Sequence, residues 1–218
     1  MNNALPLPRS GALPLSVNKV LRNTYMLLSL TLVGGAIAAY LGRNMPVMNF
    51  WLYLGFALVM PMIISATRNS VWGLVSCFVY TTGLGLIAGP IISMYASVVG
   101  AHVPIYAFAG TATIFFALTA YVMTTRKDFS FMRGFIMAGF IAVLLAIVAN
   151  VFLNMPLLSV VISTFIIVLS SAGILYSTSA AINGGEDNYI VLAASIYANL
   201  WSMFMSLMRI IGIGGSND

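Results

Sequence analysis

PLLSVVISTFIIVLSSAGILYSTSAAI, residues 156–182, runs for 27 residues without one charged side chain. About 20 apolar residues in a helix cross the hydrocarbon core of a bilayer. A transmembrane β-strand would instead show about ten residues of alternating polarity, and this run does not alternate. With no water to bond the backbone, a segment in lipid must satisfy its own N–H and C=O groups, so the run is predicted to be a membrane-spanning α-helix.

The same reading extends outward in both directions. Upstream, NMP separates this run from residues 132–153, which end AVLLAIVANVFL. Downstream, NGGEDN leads into YIVLAASIYANLWSMFMSLMRII at 189–211. Four further runs occupy roughly 24–41, 47–66, 71–95 and 104–124. Their separators are GRNMP, TRNS, the stretch around GAHV, and TRKDFS, none long enough for a soluble domain. The expected fold class is therefore all-α, a polytopic bundle of seven transmembrane helices.

Composition agrees. Of 218 residues 61% are hydrophobic and 6% charged, with a mean hydropathy of +1.04. Soluble domains carry about 25% charged residues, so lipid must cover most of this surface. The net charge of +5 does not point to nucleic acid, because the basic residues lie between apolar runs. Basic residues favour the cytoplasmic side of short loops. A cytoplasmic N-terminus places Arg9, Lys19, Arg22, Arg68, Arg126, Lys127 and Arg133 inside, and Arg43 and Arg209 outside. Seven spans then put the C-terminus on the outer side.

Residues 1–18 are expected to form a disordered cytoplasmic tail. Pro6, Pro8 and Pro14 break LPLPRSGALPLS, and the segment lacks the apolar h-region of a cleavable signal. The seven-helix domain is assigned to 19–213 and a short outer tail to 214–218. Pro61 and Pro90 should kink or end their helices. Gly34, Gly35, Gly83, Gly85 and Gly89 are small residues of the kind that let helices approach closely in lipid.

Chemistry is sparse. No Asp or Glu lies inside a span: Asp128 is in TRKDFS, Glu186 and Asp187 are in NGGEDN, and Asp218 ends the chain. Intramembrane ionisable groups are the usual mark of an ion or proton path. His102 falls in the loop before the fourth span and Cys77 inside an apolar run. The sequence has no H-E-x-x-H, no intramembrane aspartate pair and no P-loop. GLGLIAG lies within a span, where a dinucleotide-binding turn does not occur. No catalytic site, cofactor or metal is expected. Neutral polar residues remain: Asn150, Ser170, Ser171, Ser177, Thr178, Ser179 and Asn199. They suggest a polar seam between the last two helices, although Ser177 and Asn199 would need a local bend to meet.

KVLRNTYMLLSLTL at 19–32, GLGLIAGPIISMY at 83–95, AYVMTTRKDFSFMRG at 120–134 and ILYSTSAAINGGEDNYI at 174–190 together resemble the Bax inhibitor family of seven-span proteins. They are most similar to its bacterial branch, the modulators of the FtsH protease. The resemblance covers nearly all of the chain after residue 18. It implies an inner-membrane regulator that binds FtsH and restrains its degradation of membrane proteins, with no catalysis of its own. A flexible N-terminal tail would offer an ATP-driven unfoldase something to grip. Other family members resemble calcium leak channels gated by two aspartates, and a cation leak is the alternative function. By motif alignment those aspartate positions are Ser177 and Asn199 here, which form hydrogen bonds but do not ionise. Arg68 matches a basic residue neighbouring that pair and is otherwise expected to anchor the cytoplasmic end of the second span.

Overall fold

A computed structural model describes residues 15–214. Among them are seven helices and no strand: α1 (Leu15–Gly42), α2 (Phe50–Thr67), α3 (Val71–Val98), α4 (His102–Thr125), α5 (Met132–Leu153), α6 (Pro156–Asn183) and α7 (Tyr189–Gly214). All seven are long and apolar enough to cross a membrane. Short connections make sequential helices antiparallel. One end of the bundle therefore gathers the start of α1 and the α2–α3, α4–α5 and α6–α7 connections, and with them Lys19, Arg22, Arg68, Arg126, Lys127 and Arg133. This is called the basic end below.

Several boundaries differ from the sequence reading. α1 begins at Leu15, directly after Pro14, so residues 15–18 are helical and not part of a tail. Proline is tolerated ahead of the first helical turn, whose N–H groups have no partner inside the helix. The rest of the expected 1–18 tail, residues 1–14, lies outside the described residues; of the expected outer tail at 214–218, Gly214 is the last residue of α7 and 215–218 lie outside the described residues. Pro61 lies inside α2 and Pro90 inside α3, and neither ends its helix. His102 is the first residue of α4, its ring 5.8 Å from that of Tyr106.

α7 is the hub. Among the described residues it packs against α1, α2, α3, α4 and α6, whereas α5 packs against α6 alone. The main core cluster surrounds α7 residues Ile190, Ile196, Tyr197, Leu200 and Met203, which meet Leu27 and Leu28 of α1, Ile64 of α2, Tyr80 and Leu84 of α3, Phe115 of α4 and Ile174 of α6. Cys77 is fully buried in this cluster as a packing residue. Large apolar side chains on the outside, such as Met62, Val79, Phe108, Phe116 and Leu145, are exposed. In a bilayer they face lipid, which is as apolar as they are, so helix association rests on close packing and interhelical hydrogen bonds.

That packing is closest between α1 and α3. A Cβ added at Gly85 would meet the backbone of Gly35, and one added at Gly89 would meet the Ala39 carbonyl. Gly34 has nothing within 4 Å, so of the Gly34–Gly35 pair only the second makes the crossing. Pro90 has no N–H to give the carbonyl of Leu86, four residues earlier. That carbonyl faces α1, where a Cβ on Gly42 would lie 2.7 Å from its oxygen. The approach of Gly42 fits a Cα–H···O contact to the carbonyl that Pro90 leaves free.

Candidate functional site

α6 and α7 run antiparallel with Ser177 opposite Ser195 and Gly173 opposite Asn199. The Ser177 and Ser195 hydroxyls are 3.0 Å apart and hydrogen-bonded across the helices. Asn199 Nδ2 donates to the carbonyl of Ser195 at 2.8 Å. Its amide lies over Gly173, where any side chain would collide with it. Ser177 and Asn199 therefore do not meet, and no bend brings them together. Ser195, one turn before Asn199, stands between them. Ser177 is 3% exposed, and the seam consists of neutral donors and acceptors.

Two more bonds fasten the hub to α3. Tyr197 Oη donates to the carbonyl of Thr81 at 2.9 Å, and Trp201 Nε1 donates to that of Leu84 at 3.2 Å. The first is made beside Gly35, where an added Cβ would occupy the place of the tyrosine hydroxyl. Gly35, Thr81 and Tyr197 thus lock α1, α3 and α7 at one point.

Arg68 belongs to a different constellation, at the basic end. Its Nη1 pairs with Glu186 Oε2 at 3.2 Å. Glu186 Oε1 accepts from the Asn188 backbone N–H at 3.0 Å. Asn188 Oδ1 accepts from the N–H groups of Ile190 and Val191, capping α7, while its Nδ2 donates to the Arg68 carbonyl at 2.8 Å. One asparagine thus starts the hub helix and ties it to the α2–α3 turn. Capping satisfies donors that the first helical turn cannot.

The α4–α5 connection is docked in the same manner. Ser179 Oγ accepts from Phe129 N–H at 2.9 Å and donates to the Lys127 carbonyl at 3.2 Å. Asn183 Nδ2 donates to Ser179 Oγ at 3.1 Å. Asp128 turns back on its own loop, accepting from Ser130 N–H at 2.8 Å. At the opposite end Asn150 Nδ2 donates to Ser159 Oγ at 2.7 Å, joining α5 to α6. Ser171 bonds back to the Ile167 carbonyl of its own helix.

The sequence reading singled out Ser177, Ser179, Asn199 and Arg68 but missed Ser195, Asn183 and Asn188. The last two sit in NGGEDN beside an acidic pair, where N-cap chemistry was legible. Ser195 carried no such signal. The arrangement holds helices and loops in register; among the described residues no three His, Cys, Asp or Glu side chains converge.

Comparison with known proteins agrees with this architecture. The family model described as "Inhibitor of apoptosis-promoting Bax1" matches residues 17–216. An uncharacterised protein of Pseudomonas aeruginosa is 46% identical over 206 residues, covering 93% of this chain and 92% of the relative. The "Modulator of FtsH protease YccA" of Escherichia coli is 44% identical over 200 residues, 91% of each chain. An uncharacterised membrane protein of Vibrio cholerae is 38% identical, covering 94% of this chain and 93% of the relative.

Proposed function

Because this chain belongs to the Bax inhibitor family, we propose that it binds the ATP-dependent protease FtsH in the bacterial inner membrane and restrains its degradation of membrane proteins. The observation that carries the reading is the full-length similarity to the modulator of FtsH protease from Escherichia coli. The basic end faces the cytoplasm in this reading, as the distribution of Lys and Arg favours. The N-terminus is then cytoplasmic and the end of α7 periplasmic. The chain acts by binding and not by catalysis.

The physical basis is a bundle fastened at its hub, with loops stitched to helix ends at the face where a cytoplasmic ATPase would engage. Extraction of such a chain must break α7 away from five neighbours. Residues 1–14 are the handle by which the protease would grip it. In the alternative, a cation leak, the seam would have to respond to ions through neutral serines and an asparagine. No carboxylate stands within the described spans.

The test is the half-life of a membrane-protein substrate of FtsH at normal and raised levels of this chain. A longer half-life, with FtsH abundance unchanged, supports the proposal. A parallel chain lacks residues 2–13 only, because Val17, Val20 and Leu21 of the first α1 turns pack into the bundle. Loss of the effect in this chain assigns restraint to the tail, and persistence assigns it to the helices. An unchanged half-life at high expression removes the proposal and makes calcium flux in liposomes the next measurement.

A further inference from the structure

Several buried hydroxyls in this bundle bond to a carbonyl of their own helix: Thr31 to Leu28, Thr81 to Cys77 and Thr111 to Ala107. Four do not. Thr24 of α1, Thr119 of α4 and Thr178 of α6 are 1%, 8% and 0% exposed, and their hydroxyls, with that of Tyr25, have no hydrogen-bond partner. The positions flanking these four converge. Leu21, Val122, Leu175 and Ala181, each about one helical turn from one of the four, pack with Tyr25 in one cluster. The Tyr25 ring also lies 6.4 Å from Phe115, one turn before Thr119.

We propose that Thr24, Tyr25, Thr119 and Thr178 form a binding site for ordered water between α1, α4 and α6. Each hydroxyl can both donate and accept, and a buried water typically makes about three hydrogen bonds to polar groups that would otherwise be unsatisfied. The four hydroxyls are neutral donors and acceptors, which suits water as the ligand. It is separate from the Ser177–Ser195 pair, whose hydroxyls satisfy one another. Thr24 lies nine residues, Thr119 six and Thr178 five from the basic end of their helices, about 8–14 Å at 1.5 Å per residue. The apolar cluster of Leu21, Val122 and Ala181 lies between the site and that end. The site does not depend on the protease reading.

X-ray radiolytic labelling of the full chain in lipid nanodiscs, in water enriched with oxygen-18, tests the site. Hydroxyl radicals formed from a bound water label the adjoining aromatic ring. The expected result is oxygen-18 on Tyr25 and none on Tyr197, which is buried but bonded to the Thr81 carbonyl. Label on Tyr25 should fall severalfold in Thr119→Val plus Thr178→Val and return in Thr119→Ser plus Thr178→Ser. Phe131, exposed in the α4–α5 connection, is the positive control. If the double valine chain is not monodisperse, the two single valine variants are read in its place. No label on Tyr25 while Phe131 is labelled overturns the proposal. So does label that is indifferent to the valine substitutions.

Discussion

At the scale of single residues, the glycines separate into those that make the fold and those that do not. Gly85 meets the backbone of Gly35, with its added Cβ 2.9 Å from the Gly35 carbonyl carbon. Backbone cannot swing aside, so Gly85→Ala should destabilise by about 1–3 kcal/mol, the usual cost of overpacking. Gly34 has open space, so Gly34→Ala should be neutral or stabilising by up to about 1 kcal/mol through helix propensity. Thermal unfolding in detergent micelles checks both; equal losses would show that the α1–α3 crossing is not the constraint. Ser195→Ala strands the Ser177 hydroxyl and should cost about 1 kcal/mol. Adding Ser177→Ala should cost little more, because the two hydroxyls are each other's partner, and a double-mutant cycle measures that coupling. Ser195 was not legible in the sequence for a physical reason. A serine in an apolar helix looks the same whether it bonds its own backbone, as Ser171 does, or a neighbour. Only the antiparallel register of α6 and α7 distinguishes the cases, and that register is fixed by tertiary contacts.

At the scale of elements, the existence of all seven helices was readable from hydropathy because lipid leaves the backbone no alternative. The ends were less readable. Pro14 suggested that a tail continues to residue 18, yet a proline ahead of the first turn is compatible with the helix that starts at Leu15. Pro61 and Pro90 were expected to kink or end their helices, yet both helices continue past them, and at Pro90 the freed Leu86 carbonyl is approached from α1 by Gly42. The α6–α7 connection makes a further prediction. Asn188→Ala removes the cap of α7 and its tie to the α2–α3 turn, and should cost about 1–2 kcal/mol. Glu186→Gln breaks an ion pair whose Arg68 side chain is 42% exposed, and partly exposed pairs contribute only about 0–1 kcal/mol. Hydrogen exchange at the first turn of α7 should therefore rise more in the first variant than in the second. The reverse order would mean that charge, and not capping, holds the loop.

For the whole molecule, the uneven distribution of packing sets where it opens. Among the described residues α5 touches only α6, while α7 touches five helices. Regions with few packed contacts open at lower free energy. Amides of α5 should exchange before those of α7 in lipid nanodiscs, and Gly139→Leu, which drives a side chain into Leu169, should widen that gap. Uniform protection across the bundle would show that lipid, and not helix packing, governs opening. What the sequence could not show at this scale is which helix is central. α5 and α6 are the most continuous apolar runs, yet α5 lies at the periphery. Hydropathy reports the solvent around a helix, and in a bilayer core and surface are equally oily.

The central place of α7 also orders the chain in time. Synthesis delivers it last, after the five helices that surround its position and after α5. Until it is inserted, the carbonyls of Thr81 and Leu84 lack the tyrosine and tryptophan donors that later bind them. Before its last helix inserts, the chain is thus a ring without an axle, five helices around an unfilled centre.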